Sequence, residues 1–468
     1  MSTTISLNPV TRISGFLQIT VKLENSKVVD AESSGLLFRG FEKMLIGRSP
    51  LDTVYFTERI CGICSAAHAV AASLTLEDAL KITPDKPSRM LRDIIHGFEF
   101  LQNHLRQFYL YTLPDFVVTP DIQPVYSREN YDLRLPERLN NLISIHYVQA
   151  VEYSMLCHEA LAVLGGKAPH NHGIFLGGVT ESLNAYRYIQ LKSILSKVEA
   201  FISDCMIEDV YTISEYYKEY FQMGKGQGNL MSYGLFNSYN EKNIYSIAPG
   251  TFIDGVIGEF NPKYISENIF NSWYKGDVLQ SDLFKEDSEA DMDKPNGYTF
   301  VKAPRYKGYS MEVGPLARMI LSGNYKKQVS MMDRTIARVL EAKKIAETIK
   351  IFLDAVPYDT FLQKAYDIPN EAIGAGLTDT TRGALGHWLQ IKDSKIASYN
   401  IITPSVWNCS PRDSNGMLGV IEQALVGTEI KNINHPVEIG RIVRSFDPCI
   451  SCATHVISDK LNPLEILI

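Results

Sequence analysis

Long apolar runs, blocks of positive charge and internal repeats are all missing from this chain of 468 residues. With no run of about 18 apolar residues, no bilayer-spanning helix is expected. Net charge is −7, from 46 Lys and Arg against 53 Asp and Glu. No basic cluster stands out, which gives nucleic-acid binding no support. Gly224-Lys225-Gly226-Gln227-Gly228 lacks a phosphate-loop pattern and reads as a plain loop. The start, Met1-Ser2-Thr3-Thr4-Ile5, lacks a charged-then-apolar signal segment. Cysteine is scarce, seven in all, and in such a chain reduced thiols are expected in place of a disulfide framework.

Four of those seven form two Cys-x-x-Cys pairs near opposite ends. The first is Cys61-Gly62-Ile63-Cys64, followed by His68; the second is Cys449-Ile450-Ser451-Cys452, followed by His455. Four converging thiolates make a soft site for nickel, iron, copper or zinc. A structural zinc staple usually takes both pairs from one compact segment, whereas nearly the whole chain lies between these. A redox dithiol needs only one pair beside a helix start. Cys157, Cys205 and Cys409 are scattered and read as small core residues. They cannot readily hold an iron–sulfur cluster, which takes about four close thiolates. Electrons handled at such a metal site would therefore leave through another subunit.

Helical periodicity dominates the interior. Leu91, Ile94, Ile95, Phe98, Leu101, Leu105 and Phe108 recur every three or four residues between Ser88 and Leu113, stopped by Pro114. Asp115 lies just past that end. Further helices are expected over about 136–164, ended by Gly165-Gly166, and over 183–207 and 325–355. Residues 16–23 alternate like a strand. The charged stretch 275–297 reads as a surface excursion. Length alone suggests about three domains. The two cysteine pairs nevertheless require the chain's ends to meet, so residues 1–455 are expected to form one interwoven unit.

The flanks of both pairs resemble the motifs of nickel–iron hydrogenase large subunits, and six further strings do so in family order. These are Pro9-Val10-Thr11-Arg12-Ile13; Phe38-Arg39-Gly40-Phe41-Glu42; Gly165-Gly166-Lys167 with Pro169-His170 and Gly177-Gly178-Val179-Thr180; Lys302-Ala303-Pro304-Arg305-Tyr306; Glu312-Val313-Gly314-Pro315-Leu316-Ala317-Arg318; and Arg382-Gly383-Ala384-Leu385-Gly386-His387-Trp388. The resemblance implies an α+β fold, predominantly helical, with a central bundle of long helices and small peripheral β elements. It implies reversible cleavage of H2 at a nickel–iron centre, with electrons passed to an iron–sulfur small subunit. Cys61 and Cys449 would be terminal nickel ligands, Cys64 and Cys452 would bridge nickel and iron, and carbon monoxide and cyanide would complete the iron.

By the same resemblance His68 would hydrogen-bond a bridging sulfur, and Arg382, Asp115 and Asp447 would form a charged canopy over the open metal face. Glu42, His455 and a backbone carbonyl near Ile401 would hold Mg2+. Each has a plainer reading: a buried histidine, a structural salt bridge, or a Glu42 pair with Arg39 or Lys43. Residues 456–468 would be an extension removed by a maturation protease after nickel-insertion proteins have acted. Three departures stand out: Ser14 where the family carries a proton-accepting glutamate, Thr381 where proline is usual, and Ala168 where histidine is common. A hydrogen sensor on the same scaffold typically lacks the extension. The related subunit of respiratory NADH:quinone oxidoreductase has lost the four cysteines. The chain would be made in the cytoplasm and would stay there or be exported with a signal-bearing partner.

Overall fold

The computed structural model describes residues 2–120, 132–239, 241, 243–277, 279–285, 288–326, 328–359 and 365–453. The expected ligand His455 and the extension 456–468 lie outside the described residues. The chain opens with an antiparallel meander of β1 (Ser2–Leu7), β2 (Leu17–Glu24) and β3 (Lys27–Gly35). Leu17, Ile19, Val21 and Leu23 are buried on one face of β2, as the alternation requires.

Helix α1 (Ser65–Leu80) is rich in alanine, which favours the helix and keeps its surface shallow. Helix α2 (Lys86–Arg106) starts where the Asp85 carboxylate accepts the Ser88 N–H at 2.8 Å, with Pro87 in its first turn. Past Arg106 the helix widens into a π-turn over Gln107–Thr112 and tightens into a 3-10 turn over Leu113–Asp115. Pro114 thus ends a mixed helical run, where a single regular helix was expected. Helix α3 (Glu137–Gly165) ends at Gly166, whose φ of 75° suits glycine. The helix expected over 183–207 is α4 (Ala185–Phe201), capped by Asn184, a π-turn over Ile202–Met206 and α5 (Ile207–Tyr216). Helix α6 (Met331–Ala355) starts six residues later than the sequence suggests, because Ser330 Oγ caps it by accepting the Asp333 N–H at 3.1 Å.

Helices α2, α3, α4 and α6 pack against one another as the central bundle. The fold is that of the expected class, mainly helical with small sheets. A second meander joins β4 (Glu371–Thr380), β5 (Gly383–Lys392) and β6 (Lys395–Ile402). Strand β4 lies directly on α1: a Cβ at Gly374 would fall 2.3 Å from the Thr75 carbonyl oxygen, and one at Gly376 would fall 2.2 Å from that of Ala71. Only glycine permits that approach. It sets the β4–β5 turn, Thr381-Arg382, over the start of α1. The charged stretch 275–297 includes a short strand, Leu279–Gln280, paired with Ile265–Asn268.

The segment around Ser14 lies against the second cysteine loop. Helix α7 (Val437–Ser445) leads into the second cysteine loop and the short helix α8 (Ile450–Ala453). Ser14 bridges to Cys449: its N–H donates to the Pro448 carbonyl at 3.2 Å, and its carbonyl accepts the Ile450 N–H at 2.7 Å.

Candidate metal centre

Cys61 is extended and Cys64 stands at the N-cap of α1, so the first pair lies at the positive end of a helix dipole. Across the gap, the Cys449 N–H donates to Ser405 Oγ at 2.9 Å, which fixes the second loop. The sulfurs of Cys61 and Cys449 lie 3.3 Å apart. With that of Cys64 they fall within 4.8 Å of one another, and all three residues are buried. Two thiolates on one tetrahedral ion sit about 3.8 Å apart when metal–sulfur bonds are ~2.3 Å. Three soft donors at this spacing fit a thiophilic metal. Cys452 follows on α8, and its side chain lies outside the described residues.

Above the sulfurs lies Arg382, only 3% exposed. Its Nε donates to the Asp447 carbonyl at 2.9 Å, and one terminal nitrogen donates to Asp447 Oδ1 at 3.1 Å and to Asn103 Oδ1 at 2.8 Å. Asn103 Nδ2 in turn donates to Asp447 Oδ2 at 2.8 Å. Asp447 has a φ of 54°, a left-handed conformation that aspartate tolerates better than most residues and that turns it toward Arg382. Burial alone would lower the pKa of the guanidinium. Asp447 and the sulfurs of Cys449, Cys64 and Cys61 outweigh that and hold it well above its usual range. The sequence reading did not single out Asn103. Its only signal was position, an amide one helical turn before Gln107 on the side of α2 opposite the apolar rhythm.

Asp115 is placed differently from that reading. Its Oδ1 accepts from Arg12 at 2.5 Å and from Arg444 at 2.7 Å, and its Oδ2 from Arg444 at 2.7 Å. Burial would raise its pKa, but Arg12 and Arg444 pull it down to about 2. It thus ties the N-terminal segment to α7, while the guanidinium of Arg382 is served by Asp447 and Asn103.

His68 lies in the first turn of α1, as its spacing from Cys64 implies. Its Nδ1 pairs with His387 Nε2 at 3.2 Å, and His387 Nδ1 pairs with the Tyr399 hydroxyl at 2.8 Å. Burial lowers the pKa of His68 to about 4, against the pull of Cys449, and holds His387 well below its usual value. The ladder from α1 to β6 is therefore neutral. Glu42 and Ile401 line one cavity of about 440 Å³, together with Glu267 and Lys302. That brings together two of the three residues read as magnesium ligands.

Two buried carboxylates next to the first pair were also missed. Glu99 on α2 accepts the Ala66 and Ala67 N–H groups at 2.7 and 2.9 Å. Burial raises its pKa to about 7, against those donors and the charge of Arg382. Glu58 accepts from Asn171 Nδ2 at 3.0 Å, and burial takes its pKa to about 9.

A family description for nickel-dependent hydrogenases matches residues 39–125, 122–328 and 321–455. The large subunit of the periplasmic [NiFeSe] hydrogenase of Desulfomicrobium baculatum is 35% identical, across 97% of this chain and 95% of its own length. The hydrogenase-2 large chain of Escherichia coli is 29% identical, across 99% of each. The reduced Ni-Fe-Se hydrogenase of D. vulgaris Hildenborough superposes with a TM-score of 0.92 at 36% identity, over 97% of this chain and 100% of that one.

Proposed function

Since this chain belongs to the nickel-dependent hydrogenase family as a catalytic large subunit, we propose how its own residues hold and serve the nickel–iron centre. It is an oxidoreductase acting on H2. The observation that carries the reading is the convergence of Cys61, Cys64 and Cys449, from both chain ends, beneath a buried guanidinium. Cys61 and Cys449 would hold nickel, and Cys64 and Cys452 would serve both nickel and iron. Carbon monoxide and cyanide would complete the iron. When bound, the centre takes up the electron pair released as H2 is split.

The protein's own part is to orient and to exclude water. Arg382 keeps a fixed positive charge over the sulfurs, and Asp447 with Asn103 hold its planar fork in place. Being well above its usual pKa, Arg382 acts as a permanent donor and leaves proton uptake to other groups. His68, neutral and backed by His387 and Tyr399, fixes the ring beside the first pair. Glu42 and the Ile401 carbonyl would hold Mg2+, an ion that oxygen donors suit, with His455 as the expected third ligand. Family relatives are large subunits of heterodimers, so this chain has a small-subunit partner, and its iron–sulfur clusters carry the electrons away. Residues 456–468 are removed after nickel insertion, a reading supported by the family match ending at residue 455.

The test is metal analysis with an H2-oxidation assay on the purified heterodimer. One nickel and an iron per large subunit with H2-dependent dye reduction is expected. Zinc in place of both would overturn the reading. Intact mass of the active large subunit checks the extension: retention of residues 456–468 would contradict its removal.

A further inference from the structure

H2 oxidation releases protons inside a site where Cys61, Cys64, Cys449 and Arg382 are buried, so some group must take each proton outward. We propose that Glu99 is that group and that it passes protons to solvent along the cleft between α2 and Lys167. The proposal rests on the hydrogenase reading above. Other groups around the sulfurs suit the task poorly. Asp447 is held by Arg382 and Asn103, and Asp115 by Arg12 and Arg444. Ser14 offers a hydroxyl, which can relay a proton but cannot store one as a base.

Glu99 differs from both aspartates. It is 3% exposed and has no ion pair among the described residues. It sits one turn before Asn103 on α2, so the two side chains share a helix face. Its oxygens reach the N–H groups just beyond Cys64, which places it against the first cysteine loop. It also lines a narrow cleft shared with Gln102, His158, Lys167 and Pro169. Gly62, Lys167 and Pro169 are exposed at the rim, so the cleft runs from the buried carboxylate to the surface. Gln102 is buried, and its Oε1 has no hydrogen-bond partner among the described residues. An unpartnered buried polar atom facing a cleft is a place where a water can bind.

Charge supports the geometry. Arg382, Arg106 and the Ala66 and Ala67 N–H groups favour the carboxylate, while burial disfavours it; His158 and Lys167 line the same cleft. The balance leaves Glu99 near neutrality, where a relay works in both directions. In the step itself the carboxylate gains one proton to become the acid, then loses it to water in the cleft. Two such passes clear the two protons of each H2, and its two electrons leave separately.

The test uses the purified heterodimer and its Glu99→Gln and Glu99→Asp variants. Infrared difference spectra between acid and alkaline buffer should show a carboxylic C=O band titrating near neutral pH. The band should vanish in Glu99→Gln and move in Glu99→Asp. In Glu99→Gln, kcat for H2 oxidation should fall by about 100-fold with KM, nickel and iron unchanged. Glu99→Asp should restore part of that loss with an altered pH profile. Wild-type turnover in metal-replete Glu99→Gln would overturn the proposal, whereas wild-type protein lacking nickel or activity would overturn the hydrogenase reading instead. If Glu99→Gln does not assemble, Glu99→Asp decides: an unmoved band and an unchanged pH profile would also reject the relay.

Discussion

Cys61 and Cys449 stand 388 residues apart in sequence and 3.3 Å apart in space, sulfur to sulfur. Closing so long a loop costs entropy that a metal bond would repay only if both ligands are present. Cys449→Ser replaces a soft thiolate by a hard, protonated hydroxyl. Nickel should be lost from the purified protein while the helical bundle, built elsewhere, still folds. Metal analysis beside circular dichroism checks both halves, and retained nickel would remove Cys449 from the ligand set.

Arg382→Lys keeps the positive charge and discards the fork. An ammonium cannot reach the Asp447 carbonyl, Asp447 Oδ1 and Asn103 Oδ1 together as the guanidinium does. Turnover should fall by about 100-fold, the scale for losing one preorganised donor, with metal content normal. Wild-type turnover would remove Arg382 from the mechanism.

What could be read in advance follows from how local each signal is. Gly165-Gly166, Pro87 and the apolar rhythm of α2 are encoded within a few residues, and those helices lie close to where the sequence puts them. The π-turns at Gln107–Thr112 and Ile202–Met206 change helix width without changing periodicity much, so no local pattern marks them. The cysteines were legible because their spacing is chemical. Asn103 was not, since one amide within a helix acquires its role only when β4 is laid on α1 and brings Arg382 over it. Asp115 shows the converse: its position past a helix end was foreseen, but its partners come from Arg12 and Arg444, more than 300 residues apart from each other in sequence.

Asp115 should also leave a mark on stability against pH. Its folded pKa of about 2 lies below the unfolded value of about 3.9. The stabilisation is therefore fully present above the unfolded pKa and is lost as pH falls from about 4 toward 2. Asp115→Asn leaves two guanidinium groups without their carboxylate, a loss of about 3–5 kcal/mol at neutral pH for a broken buried pair. The gap in Tm between wild type and variant should be widest near pH 7 and close on acidification below about 4. A gap that does not change with pH would mean the pair contributes by shape alone.

Glu42→Gln tests the second metal. Glu42 and Ile401 share a cavity with Glu267, and a neutral amide binds Mg2+ far less well than a carboxylate. Magnesium in the purified protein should drop while nickel stays. Full magnesium in the variant would return Glu42 to an ordinary salt bridge.

Asn103 holds both halves of the canopy at once: its carbonyl accepts from Arg382 and its amide donates to Asp447. Asn103→Ala leaves two buried charged groups each short of one hydrogen bond, a cost of about 1–3 kcal/mol per unmet group. Asp447 and Arg382 still bond one another in the variant, so the fold and the sulfurs should persist. What is lost is the second anchor that fixes the guanidinium plane. Turnover should therefore fall while nickel, iron and the far-ultraviolet spectrum match wild type. Equal loss of metal and turnover would show instead that Asn103 serves only to hold the second cysteine loop.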